Sequence, residues 1–122
     1  MARLLQGIPA APGAGAGTAH IVRSPADLRK VVAGDVLICP TASAAWSAVF
    51  PLARALVTDS GGALSLAATI ARECRLPAVV GTGEATVSVR DGDWVRVRGD
   101  EGVVETTCRP TDFYDTAVVP ES

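Results

Sequence analysis

Three short runs constrain this chain more than any other feature: Val36-Leu37-Ile38-Cys39, Ala55-Leu56-Val57-Thr58 and Ala78-Val79-Val80. A strand with one wet face alternates apolar and polar residues. These runs do not alternate, so each must be covered on both faces, as in a parallel sheet packed between layers. Segments with helical markings separate them. Buried strands alternating with helices specify an α/β domain.

The punctuation supports this order. Ser24 caps a short helix over 27–32, with Pro25 at its first position and Asp27 at the positive end of its dipole. Ser43 caps a helix over 44–52 that puts Trp46, Val49 and Phe50 on one face. Residues 63–74 are the best helix, starting at about Gly62 and stopped by Leu76-Pro77. A strand is expected over 18–23, and the Gly/Pro/Ala stretch 7–17 before it reads as a packed loop. Residues 86–105 alternate like a β-ribbon, in runs 86–89, 94–98 and 103–105 around Asp91-Gly92 and Gly99 to Gly102. The expected architecture is a mixed central sheet with packed helices and a closing C-terminal β-meander. The domain is placed at 1–105, and 106–122 reads as an irregular tail.

Composition then excludes functions. The chain has 122 residues, enough for one domain. Hydrophobic residues are 48% and charged residues 20%, which excludes intrinsic disorder. Eleven basic residues against 13 acidic ones, with no basic block, argue against nucleic acid or an anionic membrane as partner. Cys39, Cys74 and Cys108 have no Cys-x-x-Cys spacing for zinc and read as reduced apolar fillers in a cytoplasmic protein. The N-terminus has no sustained apolar core of the signal-peptide kind. The longest uncharged apolar-rich stretch, 36–52, is too short and too broken by Pro40 and Pro51 to span a bilayer. A single histidine, His20, leaves no multi-histidine metal site; it reads as a core or edge histidine on an early strand. No cofactor is expected.

The chemistry concentrates in 55–82, ALVTDSGGALSLAATIARECRLPAVVGT. The order is strand, glycine turn, helix, strand. Unpaired N–H groups around Gly62 to Leu64 and the positive end of a helix dipole make a plausible anion corner; the other reading is a tight strand-to-helix turn. Ser65 either contacts an anion or caps the turn, and Arg72 is either a surface ion pair or an anion ligand. Asp59, Glu73 and Glu84 read as turn-formers or solvated groups before catalysts.

This stretch resembles the phosphohistidine swivelling (mobile) domain of phosphoenolpyruvate-utilising enzymes, a family that includes pyruvate phosphate dikinase, phosphoenolpyruvate synthase and rifampicin phosphotransferase. The resemblance runs through Leu56-Val57-Thr58-Asp59, Gly61-Gly62, Ser65, Ala67-Ala68, Ala71-Arg72-Glu73 and Pro77 to Thr82. It extends to the opening glycine loop, to Gly34-Asp35-Val36-Leu37-Ile38, and to Asp91-Gly92-Asp93-Trp94-Val95 with Gly102-Val103-Val104. It implies the β/β/α swivelling fold. In the family pattern, the residue after the Ser65 position is the histidine that carries phosphoryl between an ATP-binding domain and a phosphoenolpyruvate barrel. Here that residue is Leu66, and Leu64 stands where many members have threonine. A leucine has no lone pair to phosphorylate. The expectation is a repurposed, stand-alone swivelling domain, too short to hold either partner domain. Its former phosphohistidine corner would be a small-molecule pocket. Leu64, Leu66, Ile70 and Trp46 would give apolar contact, and Gly61, Gly62, Ser65 and Arg72 polar points. Two alternatives stand beside it: a docking module for a separate kinase-like protein, and a carrier with its phosphate moved to a residue such as Ser65.

Overall fold

The fold was analysed in a computed structural model, which describes residues 3–107 apart from 44, 45 and 47. Eight strands form a sheet in the order β1-β8-β7-β3-β4-β5-β6-β2. Its middle is β4 (Val36–Cys39), β5 (Ala55–Thr58) and β6 (Ala78–Val80), parallel to one another and buried at every position. These are the three unbroken apolar runs, and their two faces feed two cores. Val36, Ile38, Ala55, Val57 and Val79 point to one side; Leu37, Cys39, Leu56, Ala78 and Val80 point to the other.

The first side is covered by an antiparallel layer: β1 (Arg3–Gln6), β7 (Trp94–Arg98) and β8 (Val103–Thr107). Leu5, Val95, Val97 and Val104 supply its inward residues. The second side is covered by α1 (Leu66–Glu73), whose Ala67, Ala68 and Ala71 are buried. Small residues at this spacing let the helix approach the sheet closely. The result is a β/β/α layering, as expected.

The long strand β3 (Ala14–Ile21) joins the two sheet layers. Its residues 14–18 pair antiparallel with β7, and Ala19 to Ile21 pair parallel with β4. This corrects the reading of 7–17 as a loop. β2 (Ile8–Ala11) and the first half of β3 are strands despite a composition poor in β-formers. The reason is steric. A Cβ at Gly17 would collide with the carbonyl oxygen of Gly34, so the crowding selects glycine where propensity would not.

Three further expectations fail. Residues 86–89 are no strand: α2 (Ala85–Ser88) occupies them, because Asp59 takes both the N–H (3.0 Å) and the hydroxyl (2.5 Å) of Thr86. Over 44–52 the described residues show 3-10 turns, at Trp46 and at Phe50–Leu52, in place of an α-helix, with Trp46 and Phe50 buried in the helix-side core. The helix expected over 27–32 is a 3-10 turn at Pro25–Lys30. The last strand runs to Thr107, two residues past the expected boundary, with Thr106 and Thr107 buried. The rest of the expected tail, 108–122, lies outside the described residues, as does Cys108. Among the described residues no helix is long and apolar enough to cross a membrane.

His20 ties the edge of β3 to its neighbours. Its Nε2 lies 3.0 Å from the carbonyl of Asp27 and its Nδ1 3.6 Å from the Asp35 carboxylate. Across β7 and β8, Glu105 faces Arg96 in register and accepts from Arg96 Nε (2.8 Å) and Arg98 Nε (3.0 Å). Burial pushes the Glu105 carboxyl up, but the two guanidiniums prevail and hold it below its ordinary value. A depressed carboxyl stabilises the fold above its ordinary range, about 4.3, and that contribution vanishes as pH falls through the lowered value. Glu105→Gln is therefore expected to cost about 1 kcal/mol or less at neutral pH, since both arginines are partly solvated. It should also flatten the loss of melting temperature between roughly pH 5 and pH 3. Melts of both proteins across that range check this; parallel curves would refute the assignment.

Candidate functional site

The parallel strands all end at one edge, and the loops leaving β4, β5 and β6 meet there. That edge is where open α/β sheets place their sites. The loop after β5 is sewn to its neighbours. Asp59 N–H donates to the Cys39 carbonyl (3.1 Å), and Ser60 N–H to that of Pro40 (3.0 Å). From the β6 side, Thr82 N–H donates to the Thr58 carbonyl (3.1 Å) and Gly83 N–H to that of Asp59 (2.8 Å). Hydroxyls repeat the stitching: Thr58 to the Ser60 carbonyl (2.6 Å), Thr82 to that of Thr58 (3.0 Å).

The chain then turns through Gly61 and Gly62 into α1. Gly61 sits at φ +106°, and a Cβ there would lie 3.0 Å from Ser65 Oγ. Gly62 has neither constraint: its φ is outside the left-handed region and nothing lies within 4 Å of a Cβ placed on it. Ser65 N–H closes the turn onto the Gly62 carbonyl (3.0 Å). Ser65 is the N-cap, its Oγ accepting from Ala68 N–H (3.3 Å). The helix thus begins at Leu66, four residues later than expected. Its open first-turn N–H groups belong to Leu66 and Ala67 and not to Gly62 to Leu64.

The structure brings Gly61, Gly62, Leu64, Ser65 and Leu66 together on this corner. Leu64 is 93% exposed and Leu66 49%. Arg72 is exposed too, but its terminal nitrogens reach the carbonyls of Ala10 and Ala63, 2.9 Å each. Among the described residues it makes no ion pair, and two of its donors are held by backbone carbonyls. Trp46 is only 8% exposed and belongs to the core. Asp59 is occupied with Thr86, while Glu73 and Glu84 are exposed. Cys39 is buried, and burial pushes its thiol up to about 12, so it is no nucleophile near neutrality. Cys74, expected as a filler, is exposed.

Sequence reasoning missed Ile8 and gave Gly81, though part of the motif, no place on the corner. Ile8, on β2, is partly exposed and lies beside the corner: a Cβ on Gly81 would meet its Cδ1 at 3.2 Å. Gly81 itself donates its N–H to the Ser60 carbonyl (3.3 Å). Ile8 carries no local signal, because it reaches the corner from a segment distant in the chain.

Comparison with known proteins gives a consistent set of likenesses. The family described as "PEP-utilising enzyme, mobile domain" matches residues 31–102. An uncharacterised phosphotransferase, YvkC of Bacillus subtilis, is 42% identical over 103 residues, covering 84% of this chain and 12% of its own. The phosphoenolpyruvate synthase of Aeropyrum pernix is 41% identical over 102 residues, 83% of this chain and 12% of its own. A solution structure of Enzyme I superposes with a TM-score of 0.58 at 34% identity, covering 66% of this chain and 33% of that one. The chain spans about an eighth of the length of these two curated relatives.

The two glycines give a paired prediction. Gly61→Ala should lose about 1–2 kcal/mol, the cost of a left-handed non-glycine residue, with the Ser65 contact adding to it. Gly62→Ala should stay within about 0.5 kcal/mol of wild type. Urea unfolding of both variants measures this, and equal losses would contradict the geometry.

Proposed function

The chain belongs to the family of PEP-utilising enzyme mobile domains, and from that premise we propose that it docks as such a domain without carrying phosphohistidine. Its partners are the ATP-binding and phosphoenolpyruvate-binding domains of that enzyme class. The motif resemblance puts Leu66, the first residue of α1, where the family carries its acceptor histidine. A hydrocarbon side chain there takes no phosphoryl group.

The observation that carries the docking reading is the 93% exposure of Leu64. A small-molecule pocket encloses its apolar contacts; a leucine this open lines no hollow. It contributes only when a second surface covers it, and burying it is worth roughly 1.5–3 kcal/mol. The half-exposed Leu66 and Ile8 beside it widen the same patch. Ser65 is less suited to a relocated phosphate, because its hydroxyl is already the cap of α1.

The test supplies the chain to a phosphoenolpyruvate synthase whose own mobile-domain histidine has been replaced, with ATP labelled at its β-phosphate. The wild-type chain should take up no acid-labile label, and Leu66→His should take it up. Label on His20 of the wild type would overturn the reading of Leu66, and acid-stable label on Ser65 would make the chain a carrier with a moved acceptor. An unlabelled Leu66→His chain would remove this class of partner. Leu64→Ser in the Leu66→His background should cut uptake about tenfold or more. Its melting temperature should stay within about 3 °C, as expected for a solvated side chain.

A further inference from the structure

We infer that Arg72 is a positioning residue that holds the Gly62–Ser65 turn in the shape that presents Leu64 and Leu66. This rests on the docking reading for its functional meaning. Arg72 lies in the last turn of α1, and side chains on a helix lean back toward its N-terminus. That lean carries the guanidinium from the end of the helix to the turn that precedes it. There the two terminal nitrogens separate. Nη1 donates to the carbonyl of Ala10 on β2, and Nη2 to that of Ala63 in the turn, each at 2.9 Å.

One planar group therefore spans three segments: the body of α1, the edge strand β2 and the turn. Without it the turn is closed by a single backbone bond, from Ser65 N–H to the Gly62 carbonyl, and by the long Ser65 cap. Among the described residues, no carboxylate lies within 4.0 Å of Arg72. Its contacts are thus donor bonds to two carbonyls, for which a forked, planar cation is required. A lysine would meet both carbonyls from a single nitrogen, without the fixed fork that aims one N–H at each.

The test uses the chain by itself. Arg72→Met keeps the aliphatic stem and loses the donors; Arg72→Lys keeps the charge and loses the fork. Amide hydrogen exchange should accelerate about tenfold at Ser65 in both variants, a loss on the scale of one charge-assisted hydrogen bond. Exchange at Leu56 and Val57, in the core strand β5, should not change. In the Leu66→His background, both variants should also take up label about tenfold more slowly. Unchanged exchange at Ser65 overturns the proposal. Equal acceleration at Leu56 and Val57 also overturns it, since Arg72 would then act on the whole fold. Wild-type behaviour of Arg72→Lys overturns it too, because charge and not the fork would be what matters. If Leu66→His takes up no label while Ser65 exchange accelerates, the docking reading falls and the positioning of the turn stands.

Discussion

A parallel sheet covered on both faces has no place for its loops except the strand ends. β4, β5 and β6 are buried at every position. Their backbone polar groups must all be paired, because a buried group left open costs more than a hydrogen bond gains. The loops at the carboxyl edge therefore bind one another. The stitching through Asp59, Ser60, Thr82 and Gly83 follows from the burial of the strands. So does the hydrogen-bonded platform from which the Gly61-Gly62 turn departs. What protrudes from that hydrogen-bonded platform is what a ligand or partner would meet first.

What protrudes is greasy. The corner joins a serine cap, two glycines and the small inner face of α1 to two outward leucines on either side of Ser65. Scaffold and surface are separable here. Ala67, Ala68 and Ala71 set how closely α1 lies on the sheet, and nothing in that packing depends on residues 64 or 66. The chemistry of such a corner can change while the fold beneath it stays the same.

Legibility in the sequence follows the same division. The central strands are readable because unbroken apolar runs have few other uses, and the motif around Ser65 because its spacing is specific. β2 and the first half of β3 are unreadable because glycine and proline hide their pairing. There, strand formation is imposed by neighbours such as the Gly34 carbonyl over Gly17. The period-two pattern at 86–89 misleads because Asp59, twenty-seven residues away, captures Thr86 and turns the segment into helix. Arg72 gives the sharpest contrast. Its identity is plain in the motif, but its partners are backbone carbonyls 62 and nine residues away, and carbonyls leave no mark on composition.

The pairing of β1 with β8 has a mechanical side. Arg3 lies opposite Thr106, so the two ends of the folded body are neighbours on one edge. Forces transmitted through the chain on either side of it enter at nearly a single point. A body held at two opposite poles is stretched and kept from turning; one held at a common point is free to pivot and bears little strain. Because the pair is antiparallel, a pull that draws these two ends apart meets Arg3↔Thr106 first and Gln6↔Val103 last, so the ladder would open from that end one pair at a time.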